Sequence, residues 1–266
     1  MKLFRSIASY EITKRQKLIL MSFFLTCVLV ATQTVGESVR YQVMGFLAVS
    51  TMVLAMFALW GELSGIKYFL LLLLPIYFVM GASLFYFLLP VRWLTRLPFA
   101  VIFGISIYLL MLTSNIYNVA AIRTIALLRA AHAVGLLFSL VSTFFLTNVL
   151  FSLHLPVYLV APGVFAVVWP LYLVGMWSYE LEEFVSRKVF AYSSVFALVT
   201  VQLAVISSFW PVVPINAALV LVTAMYVFLG LGQFVFQEKI KSRVVWEHLV
   251  VAILVFAVII MSTKWG

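Results

Sequence analysis

The sequence predicts an all-α integral membrane protein, a bundle of about nine transmembrane helices with its N-terminus in the cytoplasm and its C-terminus outside. Three observations carry the prediction. Hydrophobic residues make up 66% of the 266-residue chain and charged residues 9%, against about a quarter charged in a soluble domain, so no water-facing surface can be built from them. The apolar residues fall in unbroken runs of span length separated by short breaks, not in the alternating segments of an outer-membrane barrel. Lysine and arginine alternate between the breaks in a way that assigns each break a side.

Residues 1–17, MKLFRSIASYEITKRQK, form a basic arm. Leu3, Phe4, Ile7 and Ala8 recur there at helical spacing, the pattern of an interfacial helix, and a solvated tail is the alternative. The arm is too long and too basic for a cleavable signal peptide, and Ala31-Thr32-Gln33 is a poor cleavage site. Residues 18–266 form one transmembrane domain, with apolar segments expected at 18–35, 43–60, 67–89, 98–117, 124–153, 157–177, 190–210, 215–236 and 244–262. The breaks carry Gly36-Glu37, Gly61-Glu62, Pro90-Val91-Arg92, His154 to Pro156 and Pro211 to Pro214. Pro162, Gly163, Pro170 and Gly175 predict a kinked sixth span, because proline removes a backbone donor and clashes one turn back. The last apolar run, Leu249 to Met261, is too short to cross roughly 30 Å of hydrocarbon. It must draw Val244 to His248 into its helix.

With the N-terminus inside, the cytoplasmic stretches collect Lys2, Arg5, Lys14, Arg15, Lys17, Lys67, Arg123, Arg129, Arg187, Lys188, Lys239, Lys241 and Arg243, while Arg40, Arg92, Arg96 and Lys264 fall outside. This bias follows the positive-inside rule across all nine spans. Trp60, Trp93, Trp177, Trp210, Trp246 and Trp265 fall at expected span ends, where an amphipathic ring prefers to sit; Trp169 lies deeper. Such short loops suit a plasma membrane, the inner membrane of a bacterium or archaeon. The expected partners are the lipid bilayer, anionic lipids at the cytoplasmic face, and a protein partner or further copies of the chain. The net charge of +9 serves orientation and anionic lipid rather than nucleic acid.

Several function classes are disfavoured at once. The chain contains no aspartate, which argues against magnesium-diphosphate enzymes built on aspartate clusters. Its single cysteine, Cys27, allows neither an internal disulfide nor a thiolate metal site. No glycine-rich phosphate loop is present, no lysine lies inside a span to carry a retinal, and no cofactor is implied.

Two groups of residues remain as candidates. The most charged break, Ser178 to Ala191, holds Glu180, Glu182, Glu183, Arg187 and Lys188. Its E-E-x-x-x-R string, Glu182 to Arg187, resembles the first motif of the CPBP (Abi/CAAX-protease-like) intramembrane protease family. The resemblance covers six residues and implies a hydrolase in which Glu182 and Glu183 activate water and histidines from later motifs complete the site. Those later motifs are missing: downstream there is only His248, with Val244 four positions before it. The alternative is a helix-surface ion pair between Glu183 and Arg187 at i, i+4.

The second group is an inner-leaflet polar pocket of Arg129, His132, Gln233, Glu247 and His248. A fifth helix beginning near Thr124 would carry Arg129 and His132 one to two turns inside, on one face. The ninth would carry Glu247 and His248 at a similar depth. Ionisable groups there face protein or a cleft; an ion-paired structural cluster, a ligand or proton site, and a zinc site are the readings. A non-enzymatic role, as a transporter- or channel-like bundle or a membrane subunit acting through partners, stands ahead of the hydrolase. A cavity running from one face to midplane would favour transport, a water-filled inner cleft joining both glutamates to a histidine would favour hydrolysis, and solid packing with an exposed stripe of small residues would favour a subunit or scaffold.

Overall fold

The structure of the protein, a computed structural model, describes residues 13–32, 40–59, 66–90, 92–120, 127–236 and 241–263. Among the described residues there are nine helices: α1 (Lys14–Ala31), α2 (Arg40–Ala58), α3 (Ile66–Leu88), α4 (Trp93–Ala120), α5 (Leu128–Ser152), α6 (Val157–Glu180), α7 (Arg187–Phe209), α8 (Pro214–Phe236) and α9 (Ser242–Ser262). The basic arm lies outside the described residues apart from Thr13 to Lys17, as do Trp60, Arg123 and Trp265.

Seven helices, α3 to α9, contain stretches long and apolar enough to cross a membrane, so the chain is a multi-pass membrane protein in contact with lipid. Helix α1 carries Lys14, Arg15 and Lys17 in its opening turn, and the apolar part of α2, Gln42–Ala58, is shorter. Local chemistry accounts for the ends. Thr13 and Gln16 form a reciprocal cap on α1, which satisfies two otherwise orphaned donors. Ser186 caps α7 by accepting from the Val189 amide. Leu181 adopts a left-handed conformation (φ 54°) to close α6. Helix α9 does draw in Val244 to His248, and its 21 residues reach roughly 31 Å at 1.5 Å per residue.

Two boundaries differ from expectation. Helix α4 begins at Trp93 rather than Pro98, and it carries Arg96 inward. Arg96 is 6% exposed, and its guanidinium lies 5.2 Å from the centre of the Tyr86 ring and donates through Nη2 to the Leu89 carbonyl at 3.4 Å. It thus covers the end of α3, where a cation meets the negative pole of the helix. Helix α5 begins at Leu128 rather than near Thr124, so Arg129 is its second residue and is exposed.

Helix α5 is central. It packs against α3, α4, α6 and α8, while α6 pairs with α7, α1 with α4, and α9 with α8. Its buried residues include Phe138, Leu146, Asn148 and Val149, and beside them Ala131, Gly135, Ser139, Ser142, Thr143 and Thr147, small side chains that let backbones approach where lipid supplies no hydrophobic drive. Contacts between helix ends show opposed neighbours. Lys17 at the start of α1 lies over Phe57 at the end of α2 (4.9 Å). Tyr192 early in α7 meets Phe236 ending α8, and Asn216 early in α8 donates to Ser262 ending α9 (2.9 Å).

Two of the helix-interior prolines, Pro75 and Pro170, are absorbed by neighbouring helices. Pro75 lacks the N–H that would bond the Leu71 carbonyl, and the Ser114 hydroxyl of α4 donates to that oxygen at 3.1 Å. Pro170 likewise frees the Ala166 carbonyl, which accepts from the Tyr77 hydroxyl of α3 at 2.9 Å. A carbonyl freed inside hydrocarbon must find such a partner.

Candidate functional site

The charged break ahead of α7 is the simplest to place. Residues 181–186 form a loop, and Glu182, Glu183 and Arg187 are all exposed. The i, i+4 helix pair between Glu183 and Arg187 does not form, because only Arg187 is helical. The loop is held from beneath: the Trp177 indole donates through Nε1 to the Glu182 carbonyl at 3.0 Å. Trp177 is fully buried, so it serves as an internal anchor and not as an interfacial ring. The contacts of the chain's histidines lie elsewhere, and no histidine joins the two glutamates.

His132 lies one turn into α5, between α4 and α6. Its Nε2 is 2.8 Å from the Ser178 carbonyl in the last turn of α6. A carbonyl only accepts, so Nε2 carries the proton. The last carbonyls of a helix have no intrahelical donor; His132 supplies one from the neighbouring helix. Its ring packs against Tyr179 (4.7 Å between centres) and Tyr117 (5.6 Å). The Tyr117 hydroxyl in turn donates to the Ala131 carbonyl at 2.9 Å. Gly135 makes this approach feasible, because a β-carbon there would stand 2.5 Å from the Tyr117 oxygen. Tyr117, His132, Ser139, Ser178 and Tyr179 share a void of about 10 Å³, close to the least that holds one water.

The remaining pocket candidates are elsewhere. His248 Nδ1 donates to the Val244 carbonyl one turn back (2.8 Å), and its ring stacks on Tyr226 of α8 (5.0 Å) over Gly230. Glu247 points the other way and pairs with Arg243 at 2.9 Å, both side chains more than half exposed. Gln233 is half-buried on α8 and Arg129 is exposed. The expected single pocket is therefore divided. The histidine of α5 belongs to the α4–α5–α6 junction, and the histidine of α9 to the surface of α8. The cause is that α9 packs on α8 from outside instead of closing against α5.

Larger spaces exist, and most are apolar. A groove between α1 and α2 measures about 470 Å³, one along α7, α8 and α9 about 500 Å³, and one among α3, α4 and α5 about 380 Å³. A fourth, more polar cleft of about 290 Å³ lies at the opposite end from His132, lined by His154, Ser207, Ser208 and Pro214. None of these four shares a lining residue with the void at His132. Among the described residues no three His, Cys, Asp or Glu side chains stand together as a metal centre would need.

Of the residues at the junction, only His132 stood out in the sequence. Tyr117 is uncharged and sits within an apolar run, Ser178 and Tyr179 open the charged break where the glutamates stand out instead, and the one local signal was Gly135 following His132 by three positions. Comparison with protein families, with curated proteins and with solved structures finds no match for this chain.

Proposed function

We propose that this chain is a non-enzymatic plasma-membrane protein, a packed nine-span subunit that works through partners in the bilayer and not by passing solute through its own core. The solidity of the centre carries the reading. Trp177, Tyr86, Tyr172 and Phe103 are fully buried there, the polar void at His132 has room for about one water, and the roomy spaces are mainly greasy grooves. His132 is a staple between α5 and α6, and the serine hydroxyls that share its void, Ser139 and Ser178, each donate to a carbonyl of their own helix. Glu182 and Glu183, exposed on a loop, lack the buried histidine partners a hydrolase would need.

The proposal includes α1 and α2 as spans, giving nine crossings and one transmembrane domain over residues 18–266. The face where α1, α3, α5, α7 and α9 begin is cytoplasmic. Lys14, Arg15, Lys17, Lys67, Arg129, Arg187, Lys188, Lys241 and Arg243 cluster at those helix starts, and cytoplasmic ends carry the excess of cations. The membrane is the inner membrane of a bacterium or archaeon.

Two measurements test this. Reporter fusions should place residue 1 inside and residue 266 outside; two ends on one side would remove the odd span count. Purified protein in proteoliposomes should leave imposed potassium and proton gradients intact, while site-directed crosslinking from α9 in native membranes should give one discrete higher-mass adduct. Gradient collapse with only monomer after crosslinking would overturn the subunit reading in favour of conduction.

A further inference from the structure

We propose that the groove between α1 and α2 is a binding site for one anionic phospholipid, its phosphate at Lys17 and one acyl chain lying along the groove. The inference rests on the reading of α1 and α2 as spans, and it starts from an electrostatic conflict at the start of α1. The first turn of a helix is its positive pole, yet α1 opens with Lys14, Arg15 and Lys17 and has no acidic residue in that turn. A helix start of this kind attracts anions, because the dipole and the three side-chain cations act in the same direction.

Directly below that turn the surface changes character. Phe23, Phe24, Cys27, Leu54 and Phe57 line a groove of about 470 Å³, and among the described residues Lys17 is the one charged residue on its wall. That volume lies within the ~300–1,000 Å³ of ordinary ligand clefts. The Lys17 ammonium is held 4.9 Å above the Phe57 ring, so the cation stands at the mouth of the groove while its stem lies along apolar surface. A positive head site joined to a long greasy slot matches a molecule with a phosphate at one end and a hydrocarbon chain behind it. The groove along α7, α8 and α9 makes the contrast: it is similar in size, about 500 Å³, and among the described residues no charged one lines it. Nothing there distinguishes one lipid from another, whereas Lys17 discriminates by charge.

Cys27 is the chain's one cysteine, is exposed and lines the groove, so it is a built-in reporting position. The experiment labels Cys27 of the full chain with a small bimane fluorophore. The protein is reconstituted in phosphatidylcholine vesicles containing either brominated phosphatidylglycerol or brominated phosphatidylcholine. A bound anionic lipid gives half-maximal quenching at a several-fold lower mole fraction of the brominated phosphatidylglycerol. Lys17→Gln should abolish that preference and Lys17→Arg should keep it. Because residue 17 is half-exposed at a helix start, both variants should retain the wild-type melting temperature, which is measured alongside. Equal quenching by the two lipids overturns the site and leaves the span reading intact, since Cys27 is then simply in bulk lipid. No quenching by either lipid overturns the site as well. In that case modification of unlabelled Cys27 by a membrane-impermeant maleimide would show that α1 lies outside the bilayer, and resistance would show protein covering the groove.

Discussion

Helix α3 has 67% of its most apolar stretch buried inside the protein, whereas the more hydrophobic α9, mean hydropathy 2.6 against 2.1, has 6%. In water that order would be reversed. In a bilayer lipid solvates an apolar helix as well as protein does, so hydrophobicity does not choose the interior. What separates the two helices is need. Helix α3 contains Pro75, whose freed Leu71 carbonyl is met by Ser114, and the Tyr77 hydroxyl that answers Pro170. Helix α9 contains neither proline nor glycine in its length, and the ring of His248 closes onto its own helix at Val244. Helices with unmet hydrogen bonds gather at the centre, and a self-sufficient one is left at the rim.

Substitutions can break this comparison in order of size. Trp177→Ala removes the largest fully buried side chain and the tether to the Glu182 carbonyl. It should cost about 3 kcal/mol or more, read as a large fall in the midpoint of denaturing-detergent unfolding. A fall no greater than that of a rim substitution would mean that the centre is not solid. Gly135→Ala should cost about 1–3 kcal/mol by overpacking. Combining it with Tyr117→Phe should recover part of the loss, since the hydroxyl is the atom in the way; simple additivity in this double-mutant cycle would refute the contact.

Tyr77→Phe keeps the ring and orphans the Ala166 carbonyl, for about 0.6–1.7 kcal/mol, the range of interhelical hydrogen bonds in membranes. Its amide exchange should quicken around Pro170 and not in α9. Gly230→Ala sharpens the contrast from the other side. The added methyl overlaps the His248 ring, yet α9 can shift into lipid. Global stability should change by less than about 0.5 kcal/mol, with faster exchange confined to α9.

How much of this was legible beforehand depends on the scale of the interaction. Each expected apolar segment coincides with one helix, because hydrocarbon thickness sets helix length and reads directly as run length. The shortfall of Leu249 to Met261 correctly implied that α9 must take in Trp246 and His248. The pairing of helices was not legible, since lipid and protein present the same apolar surface to a leucine. That is why Glu247 and His248, assigned to one pocket with His132, turn up on a peripheral helix facing two different ways. The junction itself depends on a carbonyl of Ser178 and a hydroxyl of Tyr117, and backbone acceptors leave no mark on a sequence. Arg96 is expected in an outer stretch because the fourth apolar segment reads as 98–117; its contact with Tyr86 belongs to tertiary structure alone.

The two proline repairs also imply an order of assembly during synthesis. When α3 enters the membrane, its Leu71 oxygen has no donor until α4 follows and brings Ser114, so these two segments gain by leaving the insertion machinery as a hairpin. Helix α6 emerges later with its own unmatched oxygen at Ala166, and Tyr77 is by then already in place to receive it. A nascent chain truncated after residue 90 should therefore linger at the translocon, while one extended past residue 120 should be released into lipid.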